Sequence, residues 1–482
     1  LKVSYLGYQE VVQTLELQSD SVYTIHIELE EAAELLQTLE IKGLRQDQLI
    51  QQSPYAVDVI ATKAYKNLSM DLTQVLNRAS GIHIRSVGGV GASFNLSLNG
   101  FSGNRIRYFV DGVPMENLGT ALNLNNYPVN LVERLEVYKG VVPIRLSADA
   151  LGGAINVVSD HKGKSFLDAS YSFGSFNTHQ VALNAQYSKP QQGYFIAFSG
   201  SFNHSDNSYW MNDLPLYDNL GNRVDDIDVR RFHDHYTAGM IRLNTGLLGR
   251  PWADELSLSL TAALNRNNYQ NPDNNIKLTF GAFHTQNRTL GAQAVYKKSF
   301  HKVDVLAYSQ WSTVTERVVD TSRKKFNWSG AYWYRDASSL RGELSDRRSL
   351  FVLSDQVVNS SAQVGCQIHP RHRLAGTLSH NFIHRSGRDE VDSLRRSFTQ
   401  PSTLHKGLWS LAYSLTTKDQ RLEATAFGKG YWLSANLVTQ DYSNNDVSTT
   451  AQSIFGGYGI LGTYRFPQKM QIKLSYERAY RM

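Results

Sequence analysis

From residue 166 to residue 482 the chain repeats one pattern, and that pattern restricts the fold more than any other feature. Apolar and polar residues alternate in about thirteen segments of roughly ten residues, the length a tilted strand needs to cross a bilayer. Leu256, Leu258, Leu260, Ala262 and Leu264 interleave with Ser257, Ser259, Thr261 and Ala263. Val181, Leu183, Ala185 and Tyr187 do the same with Ala182, Asn184 and Gln186, and Ile196, Phe198, Phe202 and Leu290 continue the series. A period of two places each set on its own face of a sheet. A β-sandwich alternates too, so the connections decide. Those at 188–193, 249–253, 299–302, 369–373, 416–420 and 467–469 are short, whereas 205–234, 267–287, 316–350, 386–405 and 434–451 are long. Only 174–177 breaks the long series. Tight turns on one rim and long loops on the other describe a membrane-spanning β-barrel. Structureless runs of this length are uncommon inside a soluble domain.

Composition agrees with that geometry. Hydrophobic residues make up 41% of the 482, with no apolar run of eighteen, so a helical membrane span is not expected. The single cysteine, Cys366, excludes an intrachain disulfide and a multi-cysteine zinc site. A formal charge of +6, spread along the chain without a basic stripe, does not point to nucleic acid. No nucleophile motif, no metal-ligand spacing and no phosphate-cradling loop opening a helix is present. No enzyme, catalytic residue, bound metal or cofactor is therefore expected.

Ahead of the barrel, residues 81–160 form a different unit: short strands broken by glycine turns. Ile106 to Val110 run into Asp111-Gly112-Val113-Pro114, a tight turn whose glycine takes positive φ and whose proline sets the exit. The segment VERLEVYKG (132–140) alternates so that one face is mostly apolar, and Gly152-Gly153 leads into the apolar strand 154–158. Residues 71–79 read as a short helix with Leu72, Val75, Leu76 and Ala79 on one face.

The order DGVP, VERLEVYKG, ALGGAINVV resembles the plug domain of TonB-dependent outer-membrane receptors. This chain departs from the usual family pattern at Asn99-Gly100, where Arg-Gly is common, and at Leu146-Ser147, where Tyr-Gly is common. The resemblance implies an all-β transmembrane barrel of twenty-two strands around an N-terminal α+β plug, of which about thirteen strands are present here. The chain accordingly reads as a fragment. Residues 1–30, with SYLGYQ, resemble the end of the carboxypeptidase-regulatory-like sandwich found in one subgroup. Residues 31–43 read as a linker, 44–160 as the plug and 164–482 as the N-terminal part of the barrel. Within the linker, Leu39, Glu40, Ile41 and Lys42 are candidates for the strand that adds to the TonB energy-transducing complex.

The same resemblance assigns structural roles to Asp111, Gly112, Pro114, Glu133, Gly140, Gly152, Gly153 and Asn156. Ligand contacts are expected from plug apices and long loops, with Ser86, Phe94, Asn117, Asn125, Tyr209 and Trp210 as candidates. His204, His233 and His235 flank the long loop at 205–234, and Asp225, Asp226 and Asp228 lie within it. The implied function is TonB-dependent import of a scarce nutrient across the outer membrane of a Gram-negative bacterium. A small-molecule ligand such as a ferric siderophore or similar metal chelate is expected, and outer-membrane lipid surrounds the barrel. A saccharide or peptide importer working with a surface lipoprotein, or a haem receptor, are the alternatives.

Overall fold

The computed structural model describes residues 2–3, 11–12, 26–28, 46–66, 68, 70–146, 149–159, 164–218, 220–392, 399–440, 446–468 and 470–482. It divides into two units, Leu1–Leu49 and Ile50–Met482. In the first, Lys2–Val3 pairs antiparallel with Val11–Val12. The proposed coupling residues Leu39, Glu40, Ile41 and Lys42 lie outside the described residues.

The second unit begins with the plug. Asp71 caps the helix Leu72–Leu76 by accepting a hydrogen bond from the Gln74 amide at 2.9 Å. Leu72, Val75 and Leu76 are fully buried and pack against Leu96, Leu98, Leu135, Val137, Ile155 and Val157. These last residues belong largely to a five-stranded mixed sheet ordered Val57–Ala61, Val132–Lys139, Gly153–Ser159, Ile106–Val110, Val113–Pro114. Gly153–Ser159 runs parallel to Ile106–Val110 and antiparallel to Val132–Lys139. Gly153 sits at φ +137°, where a Cβ would lie 2.1 Å from the Tyr138 carbonyl oxygen, so no other residue fits.

One expectation changes here. Val132–Lys139 was read with one apolar face, yet both faces are buried: Leu135 and Val137 on one, Glu136 and Tyr138 on the other. The second face combines a hydrogen-bonded charge cluster around Glu136 with apolar packing of Tyr138 against Val57, Phe109 and Ala154.

Thirteen strands, from Phe166–Gly174 to Gln471–Arg478, form one antiparallel sheet in chain order, interrupted only by hairpins outside it. Its sidedness is inverted relative to a water-soluble protein. Leu260 is 59% exposed, Leu378 63% and Leu474 75%, while Asn184, Ser257, Ser259, Thr289 and Ser312 are buried. Leaving large apolar side chains in water costs about 1.5–3 kcal/mol each, so this surface is stable against hydrocarbon.

The concave face of the sheet packs on the plug. Val141 and Ile144 meet Ala412, Phe427 and Leu461 of the wall, and Leu118, Ala121 and Leu122 meet Met240 and Ala263. Polar contacts add to these: Thr289 Oγ1 donates to the Leu118 carbonyl at 2.8 Å and the Tyr236 hydroxyl to Asn126 Oδ1 at 2.6 Å. Asn130 Nδ2 donates to Asp168 Oδ1 at 2.8 Å. The plug therefore occupies the barrel lumen.

The long connections are more ordered than their composition suggests. Residues 205–236 hold the hairpin Trp210–Tyr217 with Arg223–Arg230, and 320–349 hold Lys324–Phe326 with Tyr332–Tyr334. The stretch 434–451 is not a long loop. Leu422–Gln440 and Asp446–Arg465 stay paired as far as Gln440 opposite Asp446. Beyond the apolar belt both faces of a strand meet water, so the alternation disappears while the backbone ladder continues.

Candidate ligand site at the plug apex

The rim that carries the long loops also carries the tip of the plug. Between strands Ile82–Ser86 and Phe94–Leu98 the chain turns through residues 87–93, closed by hydrogen bonds from Val87 N to Ser93 O and from Ala92 N to Gly89 O, both 3.2 Å. Asn207, from the first long barrel loop, holds this tip. Its Oδ1 accepts from Val90 N at 3.0 Å, and its Nδ2 donates to the carbonyls of Val90 and Asp234, each at 3.0 Å. Gly91 lies against the Tyr236 ring, where a Cβ would come within 2.2 Å of it. The approach is possible only for glycine.

Around this junction lies a cavity of about 220 Å³, lined by Val87, Ser93, Tyr209, Arg231, Tyr269 and Asp273, among others. Arg231 is its electrostatic centre. The guanidinium pairs with Asp234 at 2.9 Å, donates to Asn271 Oδ1 at 3.1 Å, and lies 5.3 Å from the Tyr209 ring centroid and 5.8 Å from that of Trp328. Burial pushes the Asp234 carboxyl up, and Arg231 only partly offsets it. The cavity thus presents one cation, the Tyr209 and Tyr269 rings and the Asp234 carboxyl beside the cation, a set suited to a polar ligand with planar or anionic groups.

The loops around the cavity are locked together. Glu343 accepts backbone hydrogen bonds from Gly281, Ala282 and Phe283 at 2.9, 2.9 and 2.6 Å. Asp320 accepts in turn from Glu343, Leu344 and Ser345 amides, and the Trp328 indole donates to the Ile276 carbonyl at 2.8 Å. Neither acid stands out in sequence, because a carboxylate serving backbone amides has no motif.

The six ligand candidates separate. Tyr209 lines the apical cavity, and Ser86 lies just below the tip, its hydroxyl donating to the Gly88 carbonyl at 3.3 Å. Asn125 Nδ2 donates to Ala92 O at 3.3 Å, leaving its buried Oδ1 without a partner. Phe94 and Asn117 line a second cavity of about 530 Å³ between plug and wall, together with Arg107, Glu116, Asp149 and Lys406. Trp210 stands away from both cavities, 59% exposed on its hairpin under Arg230.

The histidines are committed to protein partners. His233 contacts the Phe283 carbonyl through Nε2 at 2.9 Å, and burial lowers its pKa to about 4. His204 and His235 share Asp206, at 3.3 and 3.0 Å. Asp226 is paired with Arg223, and Asp228 accepts from the Asp213 amide. Among the described residues no group of three or more His, Cys, Asp or Glu side chains is arranged to hold a metal ion.

Of the plug motif residues, Asp111 (φ +53°) accepts from Ser159 N and Oγ at 2.8 and 2.6 Å and faces Arg242 of the wall at 3.7 Å. Gly112 N donates to Asn156 Oδ1 at 3.0 Å, and Gly140 N to Gly152 O at 3.1 Å. Pro114 pairs with Phe109 at the sheet edge. Glu133 pairs with Arg134 at 3.5 Å. The acid at the heart of the plug is instead Glu136, only 1% exposed, which sequence reasoning passed over. Its Oε1 accepts from Arg134 Nε and Nη2 at 3.0 and 2.9 Å; its Oε2 accepts from Tyr138, Asn156 and Arg145 at 2.9, 3.1 and 3.1 Å. Burial alone would raise this carboxyl, but Arg145, Asn156, Arg134 and Tyr138 together hold it below the usual range. The available signal was weak: Glu136 stands between the apolar Leu135 and Val137, in a strand that also carries Glu133, Arg134 and Lys139.

A lipid-facing antiparallel sheet wrapped on a mixed α+β domain, with ordered loops over the tip of that domain, defines the class of plugged outer-membrane β-barrels. Residues 50–154 match the family model described as TonB-dependent Receptor Plug Domain. The vitamin B12 transporter BtuB of Vibrio vulnificus (strain CMCP6) is 32% identical over 114 residues, covering 22% of this chain and 19% of that protein. Among solved structures, the siderophore receptor PiuA of Acinetobacter baumannii matches 88% of this chain and 64% of its own, with TM-score 0.58 and 12% identity. The FrpB iron transporter of Neisseria meningitidis (F5-1 variant) matches 88% and 65%, with TM-score 0.61 and 10% identity. The chain spans about a fifth of the curated relative's length and less than two thirds of these structures'. Residues 50–154 thus carry a TonB-dependent receptor plug domain, and the sheet that follows shares the fold of plugged outer-membrane barrels.

Proposed function

We propose that this chain forms the plug and first barrel strands of a receptor that imports a metal chelate, such as a ferric siderophore or a corrinoid, across the outer membrane. The observation that carries the reading is the plug seated in the lumen, with its tip and the external loops enclosing the Arg231 cavity. Passive flow of anything sizeable is blocked, so passage requires the plug to move. No nucleotide is supplied at that membrane, and a pull from the TonB complex on a strand formed by residues 39–42 would provide the work. The protein is a transporter and performs no chemistry on its ligand.

The relatives support a chelate: they include proteins named as a vitamin B12 transporter and a siderophore receptor. Within the cavity, Arg231 with Tyr209 and Tyr269 offers charge and stacking to such a ligand. Haem ligation through the loop histidines loses support, since His204, His233 and His235 are engaged by protein groups.

The test is calorimetry on the full receptor in detergent, titrated with ferric siderophores, cobalamin, haem and oligosaccharides. Tight binding of a chelate, weakened by Arg231→Ala, is expected. Binding of an oligosaccharide alone would overturn the chelate reading and direct attention to a lipoprotein partner.

A further inference from the structure

The second cavity, of about 530 Å³, has no part in the transport reading. It adjoins the apical one along the plug: Ser93 lines the Arg231 cavity, and the next residues, Phe94 and Asn95, line this one. Its wall side comes from the strands Val303–Asp320, Ser349–His369, His372–Asp389 and Ser402–Thr416, the seventh to tenth of the thirteen. Plug and wall close on either side of it, through Leu118 and Ala121 against Met240 and Ala263, and through Val141 and Ile144 against Ala412, Phe427 and Leu461. The cavity is therefore a chamber made by the docking of plug on wall, away from both edges of the sheet.

The charges of the chamber are spent on one another. Among the described residues two permanent cations line it, Arg107 and Lys406, and both are engaged by the two lining acids. Arg107 Nε donates to Asp149 Oδ1 at 2.6 Å and its Nη1 pairs with Glu116. Lys406 Nζ lies 3.4 Å from Glu116 Oε1, and Arg481, outside the lining, reaches Asp149 at 3.2 Å and Glu116 at 3.8 Å. What remains for a ligand is neutral. On the wall, Gln310, Asn359, Asn381 and Lys406 stand opposite one another on four successive strands. Asn359 Nδ2 donates to Gln310 Oε1 at 3.3 Å and Asn381 Nδ2 donates to Asn359 Oδ1, which leaves Asn381 Oδ1 buried without a partner among the described residues. Across the chamber the plug presents Asn95, Asn104, Asn117 and Thr120, with Phe94 and Met115 for apolar contact.

We propose that this chamber binds an uncharged ligand, or the uncharged body of one, dense in amide, hydroxamate or hydroxyl groups. A neutral amide both donates and accepts, so asparagines on facing surfaces serve such groups from two sides, and a volume of about 530 Å³ lies in the range of small-molecule sites. The free Asn381 oxygen adds an acceptor that a ligand N–H or O–H would satisfy. A polyanionic ligand gains nothing comparable. Arg107 and Lys406 are already paired, so the anion would lose its water against Asp149 and Glu116. The chamber therefore sieves what the Arg231 cavity admits, favouring uncharged chelates over polyanionic ones. That choice between chelates rests on the import reading above, whereas the chamber's preference for uncharged ligands does not.

The test is calorimetry on the full receptor in detergent with three probes: an uncharged ferric trihydroxamate, a trianionic ferric tricatecholate and a neutral oligosaccharide. The uncharged chelate should bind about tenfold more tightly than the trianion, and Asn359→Leu with Asn381→Leu should remove that preference. Asn104→Leu, at an exposed plug position, should weaken binding of the uncharged chelate about threefold and keeps the test open if the wall pair does not fold. Tighter binding of the trianion would overturn the proposal and leave the chelate-import reading standing. Binding of the oligosaccharide alone, weakened by the asparagine variants, would overturn the chelate reading and support the chamber. An unchanged preference in the asparagine variants, or no binding of any probe, would overturn the proposal.

Discussion

Replacing Glu136 by glutamine tests what holds the plug together. The substitution keeps the shape and removes the charge. In the native arrangement Oε1 serves two N–H groups of Arg134, while Oε2 accepts from Tyr138, Asn156 and Arg145. A glutamine can keep an oxygen toward Arg134, but its amide nitrogen then confronts three donors. The buried Arg134 guanidinium loses this counter-ion, as does Arg145, whose side chain is 47% exposed. Breaking one side of a buried ion pair costs about 3 kcal/mol, with the unpaired groups as the main contribution. Asn156 transmits the disturbance, since its Oδ1 also accepts from Gly112 in the turn. The assay is amide hydrogen exchange on the full receptor, following 132–139 and 153–159. A loss of about 3 kcal/mol in local opening free energy accelerates exchange roughly 150-fold. Because the folded carboxyl is held below its ordinary value of 4.5, its stabilisation is present above that pH and is lost as pH falls through the folded value. Wild type and variant should therefore converge in acid. Exchange within about threefold of wild type at neutral pH would refute the assignment of this cluster as the plug's organising contact.

Three further outcomes follow from the geometry. Gly153→Ala puts a Cβ against the Tyr138 carbonyl at positive φ, and should cost at least about 3 kcal/mol, read as protease sensitivity of the plug within an intact barrel. Glu343→Ala strands three backbone amides and should raise exchange at 281–283 by about tenfold or more, with the barrel strands unaffected. His233, lowered to about 4 by burial with His235, His284 and Arg266 opposing its charge, is neutral in the fold. Its contribution is present above 6.5 and declines as pH falls toward 4, so limited proteolysis of the loop near 233 should increase at pH 5 relative to pH 7.5. His233→Gln should remove that dependence.

Much of the architecture was legible along the chain because a barrel strand displays its two environments at a period of two. Leu258 and Leu260 against Ser257 and Ser259 name the lipid and lumen faces without any coordinates. The turn chemistry at Asp111-Gly112 and the space constraint at Gly152-Gly153 are likewise local, so the plug could be placed from its motifs. Loop order was not legible. The hairpins at 210–230 and 324–334, and the paired extensions to Gln440 and Asp446, lie where both faces meet water and the periodic signal vanishes.

Only tertiary structure decided which charges matter. Glu133 and Glu136 are both acidic residues of one strand, and alternation puts them on opposite faces. Burial of the second face was settled by Arg134, Arg145 and Asn156 arriving from their own positions in the plug. Tyr209, Arg231 and the plug tip meet through Asn207, a contact spanning more than a hundred residues. Gln310, Asn359, Asn381 and Lys406 share a row because strand register aligns them. Sequence by itself determined the elements and the faces they present, since these depend on neighbours along the chain. Which side chains converge on a site depends on register and docking, which are set by contacts between distant segments.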